Sequence, residues 1–467
     1  MNETQGAGLA ALILAAGNGK RMHSQKPKVL CEVLFKPMIA WIRDWCSRAG
    51  IMEQCVVISP EGEEIRSYFP EGTAFAVQQE RRGTGHTVMQ AMDFLRAHAG
   101  GDILVLNGDA PFIDDETIRQ ALRLHRQEQA AVTIVTAEVE DPTGYGRIVR
   151  SRKNVSAIVE HADADDAVRD IREINSGAFW FRTDFLIDAL ASIGCDNAQG
   201  EYYLTDTVKV ATGRGERVRA YCSENRDIVL GANDRRGLLK LNEIARRRVF
   251  DQLLEKGVNL LCTDGLIVSP DACIEPDATL YPGVIIKGNT RIGAGCVITS
   301  GSVVEDSVLG EGVTVNASQI YRSTVGDGAR IGPFSHLRPD SHLAAGVKLG
   351  DFVEVKNSSI GEKTSVAHLT YVGDSDVGAR CNFGCGVVTV NYDGLKKSRN
   401  TIGDDVFIGC NTNLVAPVTL GDGAYTAAGS TITEDVPGDA LAIARARQVN
   451  KPEWSARFRG SKQKPGE

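Results

Sequence analysis

The chain has 467 residues, more than the roughly 250–300 at which a single hydrophobic core stops growing, so we expect at least two domains. The net charge of −8 excludes a chain-wide basic surface for nucleic acid or an anionic membrane, and any phosphate binding must therefore be local. No apolar run reaches the roughly 20 residues of a membrane span, and the eleven cysteines form neither CxxC pairs nor a zinc-type spacing. We therefore expect a cytoplasmic protein with no membrane partner.

The first half of the chain alternates short apolar runs with amphipathic stretches, as in ALILAAG, QCVVIS and GDILVLNGD. This alternation is typical of strands and helices that build a mostly parallel sheet. It predicts a Rossmann-like α/β domain with a mixed sheet over residues 1–233.

The next segment, 234–257, carries apolar residues at helical spacing and ends at Gly257. These residues are Leu238, Leu241, Ile244, Val249 and Leu253. The pattern predicts a helical arm between the two halves of the chain.

The second half has a different period, because apolar residues recur every six positions in three series. The series are Ile286, Ile292, Ile298 and Val304; Ile331, Leu337, Leu343, Leu349 and Val355; and Ile402, Ile408, Leu414 and Leu420. A helix does not repeat at six and a lone strand repeats at two, so short stacked strands joined by tight turns are expected. The sequence thus predicts a hexapeptide-repeat parallel β-helix over 258–445, followed by a basic C-terminal tail over 446–467.

A glycine-rich turn follows the first apolar run, in LILAAGNGKRM. Gly17 and Gly19 would let backbone N–H groups approach phosphate oxygens, and Lys20 and Arg21 would neutralise them. The turn lacks the third glycine of a dinucleotide fingerprint and the GKS or GKT of a P-loop. By itself it does not identify the nucleotide.

The motifs that follow make the pattern specific: KPKVL, QQERRGTGH, LNGDAP, DPTGYGR, IVEH, INSG and QGEYYLTD. Together they resemble the sugar-1-phosphate nucleotidylyltransferases. With the six-residue repeats, nearly the whole chain is similar to the bifunctional N-acetylglucosamine-1-phosphate uridylyltransferase and glucosamine-1-phosphate acetyltransferase family. The fold implied for the second half is a left-handed parallel β-helix.

For the first half, the resemblance implies uridylyl transfer from UTP to N-acetylglucosamine-1-phosphate, with release of pyrophosphate. It implies that Arg21 and Lys28 act in catalysis and that Mg²⁺ is bound by Asp109 and Asn233. The implied binding residues are Gly17, Gly19 and Lys28 for the triphosphate, Gln78, Gly83 and Thr84 for uracil, and Gly146, Glu160 and Asn175 for the sugar. Asn107 differs from the tyrosine expected before Gly-Asp.

For the second half, the resemblance implies acetyl transfer from acetyl-CoA to glucosamine-1-phosphate, with His368 as the general base. A histidine has a suitable intrinsic pKa for this work near neutrality. The other residues implied are Arg338, Lys356 and Lys397 for phosphate; Tyr371, Asn382, Asn391 and Tyr392 for the sugar or the base; and Cys385, Cys410, Ala428 and Arg445 for acetyl-CoA. The resemblance also implies a homotrimer with sites assembled from neighbouring subunits.

Two alternatives stay open from the sequence. The β-helix could be a trimerising element without catalysis, although a spacer has no need for His368, Arg338, Lys356 and Asn391. Another amine or another nucleotide could also be the substrate. Cys385 and Cys410 stand where alanine and serine are common, and either simple tolerance or weaker acetyl-CoA binding at Cys410 would account for them.

Overall fold

The computed structural model describes residues 8–17, 19–24, 26–151 and 154–461. The chain divides into two compact units, 1–247 and 248–467, with the boundary inside the helix Arg235–Glu255. The finer division at 233, 257 and 445 stays a prediction. None of the helices in the described ranges combines the length and apolarity needed to cross a membrane.

The first unit is built on one mixed sheet, which contains nine strands in the described residues. They are β1 Leu9–Ala15, β2 Glu53–Ile58, β3 Ala74–Val77, β4 Asp102–Asn107, β5 Val132–Glu138, β6 Arg147–Ser151, β7 Asn154–Val159, β8 Glu173–Arg182 and β9 Val218–Cys222. The order is β9-β5-β8-β4-β1-β2-β3, and β6 pairs with both β7 and β8. Only β8 runs antiparallel to its neighbours β4 and β5 in that row. The predicted mixed α/β sheet is confirmed.

Helices and short turns connect these strands and cover the sheet. The α-helices are Met38–Arg48, Thr84–Met89, Met92–Ala97, Asp115–Gln127, Asp166–Arg169, Thr183–Leu190 and Asp206–Gly213; the 3₁₀ turns are Lys20–Met22, Lys28–Leu30, Pro60–Tyr68, His161–Asp163 and Arg226–Val229; and a small hairpin pairs Glu32–Val33 with Lys36–Pro37. Alternate residues of β1 and β4 enter opposite apolar clusters, as Leu12 and Ile13 show. The sheet is therefore buried on both faces, as its continuous apolar strands require.

The strand directions decide where polar residues gather. Because β1, β2, β3 and β4 are parallel, their carboxyl ends meet at one edge of the sheet. Gly17 follows β1, Gln78 follows β3 and Asp109 follows β4. A crevice at that edge is the expected binding place for a ligand.

The second unit is a solenoid with three parallel sheets. The first sheet holds Asn259–Leu260, Thr279–Leu280, Val297–Ile298, Thr314–Val315, Arg330–Ile331, Lys348–Asp351, Ser365–His368, Asn382–Phe383, Phe407–Ile408, Tyr425–Thr426 and Leu441–Ala442. The second holds Ile267–Val268, Ile285–Lys287, Val303–Glu305, Gln319–Tyr321, His336–Leu337, Glu354–Lys356, Tyr371–Gly373, Val388–Val390, Asn413–Val415 and Thr431–Ile432. The third holds Cys273–Ile274, Arg291–Ile292, Val308–Leu309, Thr324–Val325, His342–Leu343, Ser359–Ile360, Ser375–Val377, Asn400–Ile402 and Thr419–Leu420.

All thirteen apolar positions of the six-residue series are buried inside this solenoid, which confirms the predicted β-helix. The interruption after Val355 has a simple cause, because Val355 to Ile360 and Val372 to Val377 are steps of five residues. The inward series continues without a break through both short steps.

The segment 391–400 is a local excursion in which Tyr392 pairs with Lys397. Within the predicted tail, Trp454–Ser461 is helical, and residues 462–467 lie outside the described residues.

Candidate active sites

Two adjoining cavities lie at the carboxyl edge of the sheet in the first unit. The first, of about 360 Å³, is lined by six of the predicted residues, namely Gly17, Lys28, Gln78, Gly83, Thr84 and Asp109. The second, of about 290 Å³, is also lined by six, namely Thr84, Asp109, Gly146, Glu160, Asn175 and Asn233. Leu14, Thr84, Asn107 and Asp109 line both cavities, so the two are parts of one crevice. The residues predicted for the nucleotide and for the sugar thus meet at the shared wall.

Arg21 and Gly19 line neither cavity. Gly19 lies against Lys28, since a Cβ at Gly19 would come within 2.8 Å of the Lys28 Cβ. Arg21 is exposed in the turn Lys20–Met22, and the side chain of Lys20 is outside the described part of the chain. The structure therefore gathers Lys28 with the other site residues, whereas Arg21 is exposed and lines neither cavity.

Lys28 lies between the two residues predicted to bind metal. Its Nζ donates to Oδ2 of Asp109 and, over 2.6 Å, to Oδ1 of Asn233. These two oxygens therefore converge on one positive charge, and oxygen donors are what a hard divalent cation prefers. The described residues contain no cluster of three or more histidine, cysteine or acidic side chains fit for a metal. A cation here would need phosphate or water for its remaining ligands, and this pair of residues fits that case.

Gly83 has a backbone conformation and a close neighbour that only glycine accommodates. Its φ is +100°, and a Cβ there would lie 2.5 Å from the carbonyl oxygen of Tyr202. Only glycine adopts this conformation without strain. Gly83 thus allows the segment around Tyr202 to close one wall of the first cavity.

Glu160 lies in the second cavity, where burial raises the pKa of its carboxyl group and a hydrogen bond from Thr205 opposes the rise. That bond runs from Thr205 Oγ1 to Glu160 Oε1 over 3.0 Å. A Cβ at Gly146 would come within 3.2 Å of Glu160 Oε2, so the glycine leaves room for the carboxyl group. The arrangement suits a carboxylate that accepts hydrogen bonds from a neutral, hydroxyl-bearing ligand.

In the solenoid, His368 points outward at the end of a first-sheet strand, and its side chain is 58% exposed. Its Nδ1 lies 2.9 Å from Oδ1 of Asp351 in the preceding coil. In the next coils of this sheet, Val366 pairs with Phe383, and Phe383 pairs with Ile408. His368, Cys385 and Cys410 each lie two residues after these, so they occupy equivalent positions in successive coils. His368 and the two cysteines therefore lie in a row along one edge of the solenoid.

The row continues toward the C-terminus. The backbone carbonyl of Cys410 accepts from Gly429, next to the predicted Ala428, and Arg445 lies beside Gly429. The predicted acetyl-CoA residues are thus arranged along successive coils. Asn382 lies on the same sheet, at the start of its strand and away from the corner that holds His368.

A second group of predicted residues lies at the carboxyl ends of strands in the second sheet. Arg338 and Lys356 occupy equivalent positions in neighbouring coils, since Leu337 pairs with Val355. The Lys397 ammonium, burial and Arg338 lower the pKa of Lys356. This crowding of positive charge is what a site for a dianionic phosphate requires.

Tyr371 and Asn391 complete that group. Asn391 Nδ2 lies 3.4 Å from the Tyr371 hydroxyl and also donates to Asp374 Oδ2. Tyr371 lies over Gly373, because a Cβ there would be 2.3 Å from its hydroxyl oxygen. Tyr392 is turned away in the excursion, where its hydroxyl donates to the Gly394 carbonyl.

Within one chain, His368 and the cationic group are separated by a strand. His368 ends a first-sheet strand, whereas Lys356 is level with Gly373, five residues further along the coil. At about 3.3 Å per residue, these five residues span at most about 16 Å of chain, and a corner of the solenoid lies between them. His368 and Lys356 therefore belong to different corners of the solenoid within one chain.

Comparison with known proteins identifies the family. A model of the family described as "Nucleotidyl transferase" matches residues 10–228, and one described as "Bacterial transferase hexapeptide (six repeats)" matches residues 401–434. The chain is 46% identical to the "Bifunctional protein GlmU" of Halalkalibacterium halodurans, over 95% of this chain and 98% of that protein. It is 44% identical to the GlmU of Listeria welshimeri, with coverages of 97% and 99%, and 44% identical to that of Acetivibrio thermocellus, with coverages of 96% and 97%. The chain belongs to the GlmU family.

Membership of the GlmU family confirms the resemblance drawn from the motifs and the predicted pairing of a nucleotidyl transferase with a hexapeptide β-helix. The roles of individual residues stay predictions.

Several residues of this GlmU family member that touch the predicted site residues were missed by the sequence reasoning. They are His86 and Thr87 beside Gln78, Thr205 beside Glu160, Asp351 beside His368, and Asp374 beside Asn391. Asp351 had a usable signal, because it precedes His368 by 17 residues, which is one turn of this solenoid. Asp374 and Asn391 have the same 17-residue spacing, and His86 and Thr205 lie inside the motifs QQERRGTGH and QGEYYLTD. Thr87 had no such signal, since its contact with Gln78 exists only in the folded chain.

Proposed function

We propose that the crevice of the first unit transfers a uridylyl group from UTP to N-acetylglucosamine-1-phosphate and that the edge of the solenoid acetylates glucosamine-1-phosphate from acetyl-CoA. The chain is a member of a family of bifunctional transferases, and each of its two units carries a separate polar site. The observation that carries the first assignment is the convergence of Lys28, Asp109 and Asn233 at the wall shared by two cavities.

In the uridylyl site the protein's work is positioning and charge neutralisation, with little covalent chemistry of its own. Lys28 can exchange its bonds with Asp109 and Asn233 for bonds to phosphate oxygens, which would hold the α-phosphate for in-line attack by the sugar phosphate. When bound by Asp109 and Asn233, Mg²⁺ would supply further positive charge for the phosphates. Gln78 and Gly83 would hold the base, while Glu160 and Asn175 would orient the sugar.

In the acetyl-transfer site, Asp351 holds the imidazole of His368. Because the Asp351 carboxylate accepts a hydrogen bond from Nδ1–H of His368, the lone pair at Nε2 is left to accept a proton from the substrate. His368 would take a proton from the amine of glucosamine-1-phosphate as the nitrogen forms its bond to the thioester carbon and the thiolate of coenzyme A leaves. Arg338, Lys356 and Lys397 would hold the sugar's phosphate.

The separation of these two groups within one chain supports a homotrimer, in which His368 of one subunit would meet the cationic group of another. An exposed apolar stripe supports the same assembly: Phe334, Phe352 and Leu369 are 59%, 56% and 58% exposed on successive coils. All three have positive φ, an unfavourable conformation for bulky residues. A second copy of the chain would cover this stripe, which ends at Leu369 next to His368.

Two variants test the division of labour. His368→Ala should abolish thiol release from acetyl-CoA and glucosamine-1-phosphate while pyrophosphate release from UTP survives, and Asp109→Ala should do the reverse. Loss of both activities in either folded variant would contradict two independent sites. Thiol release that survives in His368→Ala would contradict His368 as the base, whereas its absence in the unsubstituted protein would favour a solenoid that only assembles subunits.

A further inference from the structure

Gln78 is enclosed by two neighbours that control how its amide group points. Its side chain is buried, with a residue exposure of 3%, at the wall of the first cavity. The end of the amide placed as Nε2 lies 3.0 Å from Nδ1 of His86, and the end placed as Oε1 lies 3.1 Å from Oγ1 of Thr87. A buried amide must satisfy its donors and acceptors, so these contacts carry information about its orientation.

With the amide in that orientation, one conflict arises at Thr87. Its single hydroxyl hydrogen faces two acceptors, the Gln78 oxygen and the Gly83 carbonyl oxygen, which lies 3.0 Å from Oγ1. A hydroxyl group has one hydrogen to donate and two lone pairs to accept with. One of the two oxygens is therefore left facing another acceptor.

A second conflict arises at His86. The amide nitrogen of Gln90 lies 3.3 Å from Nε2 of His86, and it also donates to the His86 carbonyl oxygen over 3.0 Å, which fixes that end of the Gln90 amide as nitrogen. Amide nitrogens then face both ring nitrogens. A neutral imidazole can accept at only one of them, so one contact brings two donors together.

Turning the Gln78 amide by half a turn removes both conflicts, and the two ends of an amide have nearly the same shape. Gln90 then donates to Nε2 of His86, and His86 donates from Nδ1 to the Gln78 oxygen. The Gln78 nitrogen donates to Thr87 Oγ1, and the Thr87 hydroxyl donates to the Gly83 carbonyl. Every donor in this chain has one acceptor.

We propose that this chain of hydrogen bonds holds the Gln78 amide in one orientation and thereby selects a 4-keto over a 4-amino pyrimidine nucleotide. The inference rests on the proposed function, in which Gln78 contacts the base. Uracil offers a donor at N3 and an acceptor at position 4, whereas cytosine offers an acceptor at N3 and a donor at position 4. An amide that is free to turn matches either edge, but an amide that is fixed matches only one. His86 and Thr87 are positioning residues in this scheme.

The test compares two substitutions of Thr87, one that removes its hydroxyl group and one that keeps it. Thr87→Val keeps the shape of the side chain but removes the acceptor for the Gln78 nitrogen, while Thr87→Ser keeps that acceptor. Pyrophosphate release with UTP and with CTP, at saturating N-acetylglucosamine-1-phosphate, gives the ratio of the two kcat/KM values. We expect Thr87→Val to raise the CTP-to-UTP ratio about tenfold or more, and Thr87→Ser to keep the ratio of the unsubstituted protein.

A second variant, His86→Phe, removes the donor to the Gln78 oxygen while keeping a ring next to Tyr202, and it should shift the ratio in the same direction. If turnover is too slow in either variant, calorimetric dissociation constants for UTP and CTP give the same ratio. An unsubstituted protein that releases no pyrophosphate from UTP would overturn the proposed function. A protein that does so, but keeps its ratio within about twofold in both variants, would overturn this inference alone.

Discussion

His368 and Asp351 occupy the same position in neighbouring coils of the solenoid, with Nδ1 of His368 2.9 Å from Oδ1 of Asp351. Hydrogen bonds from its own backbone N–H and from the His368 side chain lower the pKa of the Asp351 carboxyl group. Asp351 is therefore ionised at neutral pH and accepts from His368. The pair fixes which ring nitrogen keeps a free lone pair.

We expect Asp351→Asn to lower kcat of acetyl transfer about 10- to 100-fold, because an asparagine can turn its NH₂ group toward Nδ1 and favour the wrong tautomer. Thiol release from acetyl-CoA measures the effect, and uridylyl transfer should not change. Asp405→Asn is a matched control, since Asp405 forms an exposed ion pair with Arg380 on the solenoid. Equal losses in the two variants would mean that the change acts through the fold and not through His368.

Glu160 gives the uridylyl site a predictable pH dependence. Burial raises the pKa of its carboxyl group, so protonation begins at a higher pH than for an exposed glutamate. The protonated form loses acceptor capacity, and KM for N-acetylglucosamine-1-phosphate should therefore rise as pH falls toward this raised pKa. In Glu160→Gln, KM should be higher throughout and should lose that acid-side rise. An unchanged acid-side rise in Glu160→Gln would assign the dependence to another group.

Glu160 also contributes to stability with a definite sign. A carboxyl group whose folded pKa lies above its unfolded value binds more protons in the folded state, so its contribution favours folding at low pH and is lost as pH rises through the folded pKa. Glu160→Gln should remove that part of the pH dependence of unfolding. Denaturant titrations on the acid side of neutrality measure it.

Much of the fold followed from the sequence because its periods are short and regular. The thirteen positions such as Ile286 and Leu414 repeat at six and are all buried. The orientation of His368 could not be predicted, because two steps of five residues around it shift the count, and a shift of one residue reverses which face a side chain occupies. The partners of Gln78 were hidden for another reason, since hydrogen bonding between buried side chains has no period at all.

The cationic group around Lys356 should respond to anions. Lys397, burial and Arg338 lower the pKa of Lys356, so its charged form is disfavoured until an anion is bound. Inorganic phosphate should therefore raise Tm, by less at high salt, and Lys356→Gln should reduce that rise and increase KM for glucosamine-1-phosphate about tenfold. Lys363→Gln, at a lysine that is 72% exposed on the solenoid, should leave both unchanged. A phosphate effect that survives in Lys356→Gln would place the anion elsewhere.

Cys410 lies two coils beyond His368, in the row that leads to Ala428, and it is exposed. A thiol is a weaker hydrogen-bond donor and acceptor than a hydroxyl group. If this position contacts acetyl-CoA, Cys410→Ser should lower KM for acetyl-CoA about two- to tenfold with little change in kcat, because one hydrogen bond contributes about 1 kcal/mol. Cys273→Ser changes an exposed thiol in an early coil, far along the solenoid from His368, and should have no effect. If KM in Cys410→Ser equals that of the unsubstituted protein, the cysteine is simply tolerated there, and the column from His368 to Ala428 has to bind acetyl-CoA through its other members.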